Sequence, residues 1–205
     1  MKSFTLKHLL TLTLLVWTLP ANAVTILCLG DSLTEGFGVG KNEAWPAIAE
    51  KILRDKKKDV TLINAGISGS TTASGPSRLT WHLKSKHKAD WLFLALGAND
   101  GLRGQDVKAA KENLKKTIHQ AREAGMKKII LAGMRLPPNY GPVYAKAFDA
   151  MFPELAREEK VIFMPFLLDG VAAKPGLNQP DGIHPNAAGH KIIGNNIAKF
   201  LDSEL

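Results

Sequence analysis

Cysteine is all but missing from this chain: Cys28 is the single one among 205 residues. No intrachain disulfide can form, so a core rather than covalent staples must hold the fold, which a chain of this length can supply. Cys28 lies inside a short apolar run and reads as a small buried side chain; in an exported protein a lone thiol could also pair with another chain. No His/Cys cluster with ligand spacing accompanies the polar motifs, which argues against a metal centre. No Gly-x-Ser-x-Gly occurs, so the nucleophile elbow of α/β-hydrolases is not available. Repeats, low-complexity tracts and linkers are absent. The formal charge is +8, but no basic stripe interleaved with aromatics appears, so no nucleic-acid partner is expected. The cluster Lys56-Lys57-Lys58 reads as a solvated turn. A weak attraction to anionic lipid surfaces remains, and with it transient contact with membrane lipids.

Only one apolar run is long, and it is N-terminal. Lys2 and Lys7 precede the apolar stretch Leu9 to Leu19, and Ala21-Asn22-Ala23 fits a small-x-small cleavage pattern. Residues 1–23 therefore read as a secretory signal peptide. An uncleaved anchor is disfavoured because the run falls short of the roughly 20 residues that cross a bilayer. Cleavage after Ala23 leaves 24–205 as one domain, periplasmic in a two-membrane bacterium and otherwise secreted.

Within 24–205, short β-branched and aliphatic runs alternate with amphipathic stretches. Strands are predicted at Val24–Leu29, Val60–Ile63, Trp91–Leu96, Ile129–Ala132 and Val161–Met164. Helices are predicted at Ala44–Arg54, Ser77–Leu83, Gln105–Ala124, Val143–Glu159 and Asn186–Leu201, with Pro153 expected to kink or restart the fourth. This alternation predicts an α/β fold, a parallel sheet with helices on both faces. Two loops stand out, 97–104 and 165–185.

Four polar blocks follow predicted strand ends or precede the last helix: Gly30-Asp31-Ser32-Leu33, Asn64-Ala65-Gly66-Ile67-Ser68-Gly69, Gly97-Ala98-Asn99-Asp100, and Asp181-Gly182-Ile183-His184-Pro185. A serine is a poor nucleophile unless a base takes its proton. His184 is the candidate base for Ser32, and Asp181 can accept from its other ring nitrogen. The backbone N–H groups of Ser32 and Gly69 and the side-chain amide of Asn99 are candidate donors to an oxyanion. Taken singly, each block has a plainer reading. Gly-Asp-Ser can be a turn, Asp100 a cap or loop brace, and Asp181 with His184 metal ligands or a capping pair. His82, His87, His119 and His190 read as solvated surface residues, and Trp45, Trp81 and Trp91 as core.

In combination and in this order, the blocks resemble those of the SGNH (GDSL-type) hydrolases, whose four letters match Ser32, Gly69, Asn99 and His184. The similarity extends to Ala44-Trp45-Pro46-Ala47, Asn99-Asp100-Gly101-Leu102-Arg103-Gly104, Arg135-Leu136-Pro137-Pro138-Asn139-Tyr140-Gly141 and Asp181-Gly182-Ile183-His184-Pro185-Asn186. The resemblance implies a flavodoxin-like three-layer α/β/α sandwich with a five-stranded parallel sheet. It implies a triad of Ser32, Asp181 and His184, an oxyanion hole from Ser32, Gly69 and Asn99, and no metal or organic cofactor. The function it implies is an exported serine hydrolase of aryl esters, acyl thioesters or lysophospholipids, a monomer acting on small-molecule substrates. Loops 97–104 and 135–141 would wall the acyl chain, with Leu136, Pro137 and Asp100 as substrate-binding residues. Gly66 competes with Gly69 for the second block's glycine. Ala98 stands where relatives often carry glycine, so that loop is expected to differ in conformation. A carbohydrate acetylesterase of the same superfamily and a non-catalytic exported lipid-binding protein remain alternatives.

Overall fold

The computed structural model describes residues 23–84 and 88–205. The signal-peptide reading, apart from Ala23, and the reading of His87 therefore lie outside the described residues. All five predicted strands form: β1 (Val24–Gly30), β2 (Val60–Gly66), β3 (Trp91–Ala95), β4 (Lys128–Ala132) and β5 (Ile162–Met164). They pair in parallel in the order β2-β1-β3-β4-β5, the flavodoxin-like doubly wound arrangement. Central strands covered on both faces read as unbroken apolar runs rather than alternating ones. That is why β1 and β3 are so hydrophobic: Ile26, Leu27, Cys28 and Leu29 are at most 1% exposed, as are Leu92, Phe93 and Leu94.

The helices are α1 (Ser32–Glu35), α2 (Trp45–Asp55), α3 (Gly75–Leu83), α4 (Ala98–Leu102), α5 (Val107–Glu123), α6 (Pro142–Glu158) and α7 (Ala187–Asp202). Helix α2 packs with α7, and α5 packs with both α3 and α6, giving a layer on each side of the sheet. In α5, Ala110, Leu114, Ile118 and Ala121 form the buried stripe, and the Asp106 carboxylate caps its start by accepting from the Ala109 N–H at 2.7 Å. Asn186 caps α7 in the same way through the N–H of Gly189.

Three expectations need correction. Pro153 does not restart its helix: α6 runs continuously from Pro142 to Glu158. Phe148, Met151, Phe152 and Leu155 are all buried around the proline, and tertiary packing of this kind overrides a poor local propensity. Trp81 is not core but 69% exposed near the end of α3, whereas Trp45 and Trp91 are buried. His190 is not at the surface: it is 1% exposed, and its Nδ1 accepts the Trp45 N–H at 3.3 Å. His119 is partly solvated as expected, but its Nε2 also lies 2.9 Å from Glu159 Oε2. Helices α1 and α4 were not expected, because each is too short to show a period.

The sheet register places the site. Gly30 pairs with Gly66 on one side and with Ala95 on the other, so β1, β2 and β3 stop at one level. The chain turns over that edge three times, into α1, into the Ile67–Thr72 loop, and into α4. Gly66 allows a close approach of backbone to backbone: a Cβ there would lie 2.1 Å from the Glu35 nitrogen and 2.6 Å from its Cα. Backbone cannot yield as a flexible side chain does. We expect Gly66→Ala to lower the unfolding free energy by about 1–3 kcal/mol, read from the urea midpoint; an unchanged midpoint would show that α1 and β2 separate freely.

Candidate active site

The residues at this edge come from opposite ends of the sequence. Ser32 opens α1, where Asp31 as N-cap accepts the Leu33 N–H at 3.0 Å. The segment 178–185 returns beside it. Its shape is set by Gln179, whose N–H donates to the His184 carbonyl at 2.7 Å and whose side-chain amide donates to the carbonyls of Phe37 and Pro185. Asp181 Oδ1 accepts the N–H groups of Ile183 and His184, each at 3.0 Å. Its Oδ2 lies 2.7 Å from His184 Nδ1, and His184 Nε2 lies 2.9 Å from Ser32 Oγ. The Phe37 ring covers one side of the imidazole, 4.6 Å between centroids.

Charge settles the direction of these bonds. Asp181 is held down at about 2, chiefly by the backbone N–H of His184, so it is ionised near neutrality and can only accept. The Nδ1 proton of His184 therefore points to Asp181, and a neutral imidazole presents Nε2 as the acceptor for the Ser32 hydroxyl. Such a chain can strip the serine proton as its oxygen attacks and then return it to a leaving group.

Three donors stand free at the same edge. The N–H groups of Ser32 and Gly69 donate to no group among the described residues. Asn99 Nδ2 uses one proton on the Ser70 carbonyl at 3.0 Å, and its second proton is spare. Gly69 takes φ +77°, and among the described residues beyond its chain neighbours only Arg103 Nη2 comes within 4 Å of where its Cβ would stand. That separates it from Gly66, which is a packing glycine at a strand end. In the third block Gly97 takes φ +126° and Ala98 begins α4; the unusual backbone angle falls one residue before the alanine, which fits a helix without strain.

Asp100 is a correction. It does not line the cleft but is 2% exposed, with Oδ2 accepting the Thr72 N–H at 2.9 Å and Oδ1 accepting the Thr72 hydroxyl at 2.6 Å. It braces the loop below the site. Leu136 and Pro137 do line the cleft, which holds about 370 Å³. Its walls are largely apolar, with Leu33, Leu102, Phe166 and Ile183 among them, and Ser32, Asn99 and His184 open into it. A larger hollow of about 900 Å³ beside the edge strand β2 carries Glu50, Lys51, Arg54 and Asp55 and none of these three residues.

Sequence reasoning passed over three further neighbours. Asp31 is 1% exposed, and burial pushes its carboxyl up to about 7; its Oδ2 has no hydrogen-bond partner among the described residues. Its place within Gly-Asp-Ser was the available signal. Phe37 and Glu35 carry none, since only the tertiary fold brings one onto His184 and the other onto Ser68.

A serine hydroxyl, an imidazole and a carboxylate in series at the carboxyl edge of a flavodoxin-like sheet define the class to which the chain belongs. Residues 28–192 match the GDSL-like Lipase/Acylhydrolase family. The chain is 39% identical to Esterase TesA of Pseudomonas aeruginosa over 197 residues, covering 96% of each protein. It is also 39% identical to the thioesterase 1/protease 1/lysophospholipase L1 of Escherichia coli K12, covering 95% of this chain and 91% of that one. A crystal structure of the psychrotrophic esterase EstA from Pseudoalteromonas sp., inhibited by monoethylphosphonate, superposes with a TM-score of 0.83 at 32% identity, covering 88% of this chain and 97% of that one. The chain belongs to the GDSL/SGNH lipase–acylhydrolase family and is an enzyme of that family.

His190 generates a pH dependence. Burial holds its pKa down at about 4 from an ordinary 6.5. The unfolded chain therefore takes up this proton before the folded one does, and stability falls as pH drops from about 6.5 towards 4, by about 1.4 kcal/mol per unit and about 3 kcal/mol in all. Urea midpoints across that range should show the loss in wild type and a shallower slope in His190→Gln; parallel slopes would assign the loss to other groups.

Proposed function

We propose that the protein is a serine hydrolase of carboxylic esters and thioesters, with Ser32 as nucleophile, His184 as general base and acid, and Asp181 as the group that orients His184. The observation that carries this reading is the Asp181–His184–Ser32 chain, at 2.7 and 2.9 Å, ending in an apolar cleft. Ser32 Oγ attacks the acyl carbonyl carbon while its proton passes to His184 Nε2. The carbonyl oxygen becomes an oxyanion, met by the N–H groups of Ser32 and Gly69 and the spare amide proton of Asn99. One such donor is worth about 2.7–4 kcal/mol of barrier. Collapse breaks the bond to the alcohol or thiol, which leaves with the proton from His184. Water then attacks the acyl-enzyme, giving its proton to the same imidazole, and Ser32 is released. The raised pKa of Asp31 limits negative charge beside the nucleophile.

The apolar walls suit an aliphatic or aromatic acyl group held by Leu136, Pro137, Leu102 and Phe166. They offer little to the hydroxyl groups of a sugar, which favours acyl esters over acetylated carbohydrate. The relatives' names as esterase and as thioesterase and lysophospholipase support the same substrate range. Residues 1–23 would direct the enzyme to the periplasm or the medium and be removed after Ala23, leaving 24–205 as the working domain.

The test combines chemistry and labelling. A serine-directed phosphonate should attach to Ser32, located by mass spectrometry, and octanoyl esters should be cleaved with higher kcat/KM than acetylated sugars. Ser32→Ala should lower kcat roughly 10⁶-fold and Asp181→Asn about 10⁴-fold. A wild-type protein that takes no label and cleaves neither aryl ester nor thioester would instead be a binding protein.

A further inference from the structure

The Ile67–Thr72 loop supplies Gly69, and Ile67, Ser68 and Gly69 are all exposed; its own backbone ties are the turn bond from the Ser70 N–H to the Ile67 carbonyl and the Ile67 N–H on the Gly30 carbonyl, each 3.2 Å. The remaining ties come from outside, residue by residue. Glu35, the last residue of α1, accepts the Ser68 N–H on Oε2 at 2.7 Å and the Ser68 hydroxyl on the same oxygen. Arg103, just after α4, donates from Nη2 to the Gly69 carbonyl at 3.2 Å and to Asn99 Oδ1 at 3.4 Å. Asn99 donates to the Ser70 carbonyl, and buried Asp100 takes both donors of Thr72. The two inner ties are partly or fully buried. Glu35 and Arg103 are exposed and hold the Ile67–Ser68 and Gly69–Ser70 peptide groups, one on each side of the peptide that carries the Gly69 N–H.

We propose that Glu35 and Arg103 are positioning residues that clamp the chain on both sides of the Ser68–Gly69 peptide, fixing the free Gly69 N–H in line with the Ser32 N–H and the Asn99 amide. The proposal rests on the serine-hydrolase reading above. Glu35 sits three residues after the nucleophile, so its carboxylate ties the oxyanion loop to the short helix that carries Ser32. Arg103 does the equivalent from the other flank. Its bond to Asn99 Oδ1 also selects the amide orientation, keeping Nδ2 rather than Oδ1 towards Ser70 and the cleft. A glycine at φ +77° has wide conformational freedom. Without the clamp only the Ser70-to-Ile67 turn bond restrains the Gly69 N–H, and misplacement by about 1 Å can cost around 100-fold in rate. Because an oxyanion exists only after attack, the cost falls on kcat and not on substrate binding.

The test measures kcat and KM for an aryl acetate, phosphonylation rate and thermal unfolding for wild type, Glu35→Ala, Glu35→Gln, Arg103→Met and Arg103→Lys. Glu35→Ala and Arg103→Met should each lose about 10-fold or more in kcat, with KM within about two-fold, and should slow phosphonylation by a similar factor. Their Tm should stay close to wild type, since both side chains lie at the surface. Glu35→Gln keeps an oxygen that accepts from Ser68 and should recover most of the loss; Arg103→Lys keeps the charge on a side chain one bond shorter and should recover less. In Glu35→Ala, further replacement of Ser68 by alanine should add little, because the two act as one tie. Unchanged kcat in both truncations, or a rise in KM at constant kcat, overturns the clamp alone. A wild type with neither activity nor label overturns the clamp together with the hydrolase reading.

Discussion

Everything at the catalytic edge depends on the register of three neighbouring strands. Gly30 stands level with Gly66 and Ala95, so three chain segments leave the sheet at one height. A parallel sheet makes this possible because all its carboxyl ends point the same way, and every turn from strand to helix passes over one rim. Shifting β1 by a single residue would carry Ser32 away from Gly69 and Asn99 and turn each β1 side chain to the other face of the sheet. The burial of Ile26, Leu27, Cys28 and Leu29 on both faces is therefore what fixes the position of the hydroxyl as well as the strand.

From that rim the site is assembled through short polar ties. Arg78 reaches back from α3 to the carbonyls of Gly30 and Ala65, closing the ends of β1 and β2. Asp100 holds Thr72 from beneath. Gln179 joins the returning loop to Phe37, and Asp181 organises its own loop through two backbone N–H groups before it touches His184 at all. The same carboxylate thus shapes the turn and orients the base. Its low pKa is a consequence of the turn geometry more than of the imidazole.

Charge at the site is separated by burial. Asp181 is partly open to solvent and stays ionised, while Asp31, beside Ser32 in the chain, is driven towards neutrality by its enclosure. Two carboxyl groups of one chemical type take different roles because one accepts three hydrogen bonds and the other has an oxygen with no partner among the described residues. Deeper in the fold, His190 shows the same principle without catalysis, with an imidazole kept neutral to receive the first N–H of α2.

The sequence by itself determined the alternation of strands and helices, the parallel sheet, and the four blocks that carry Ser32, Gly69, Asn99 and the Asp181–His184 pair. Each of these is written in local terms: an apolar run, an amphipathic period, a glycine beside a polar residue. It did not determine what depends on neighbours distant in the chain. Asp100 reads as a cleft residue by its place beside Asn99, yet helix α4 turns it inward to Thr72. His190 and Trp81 exchange their expected places because exposure is set by which helix face meets another element, and a polar or aromatic letter does not report that. Pro153 is tolerated because aromatic packing on α6 outweighs one missing hydrogen bond. The ties from Glu35 to Ser68 and from Arg103 to Gly69 span more than thirty residues of sequence; only the folded chain brings those partners together, because side-chain hydrogen bonding acts over about 3 Å of space and has no signature in spacing.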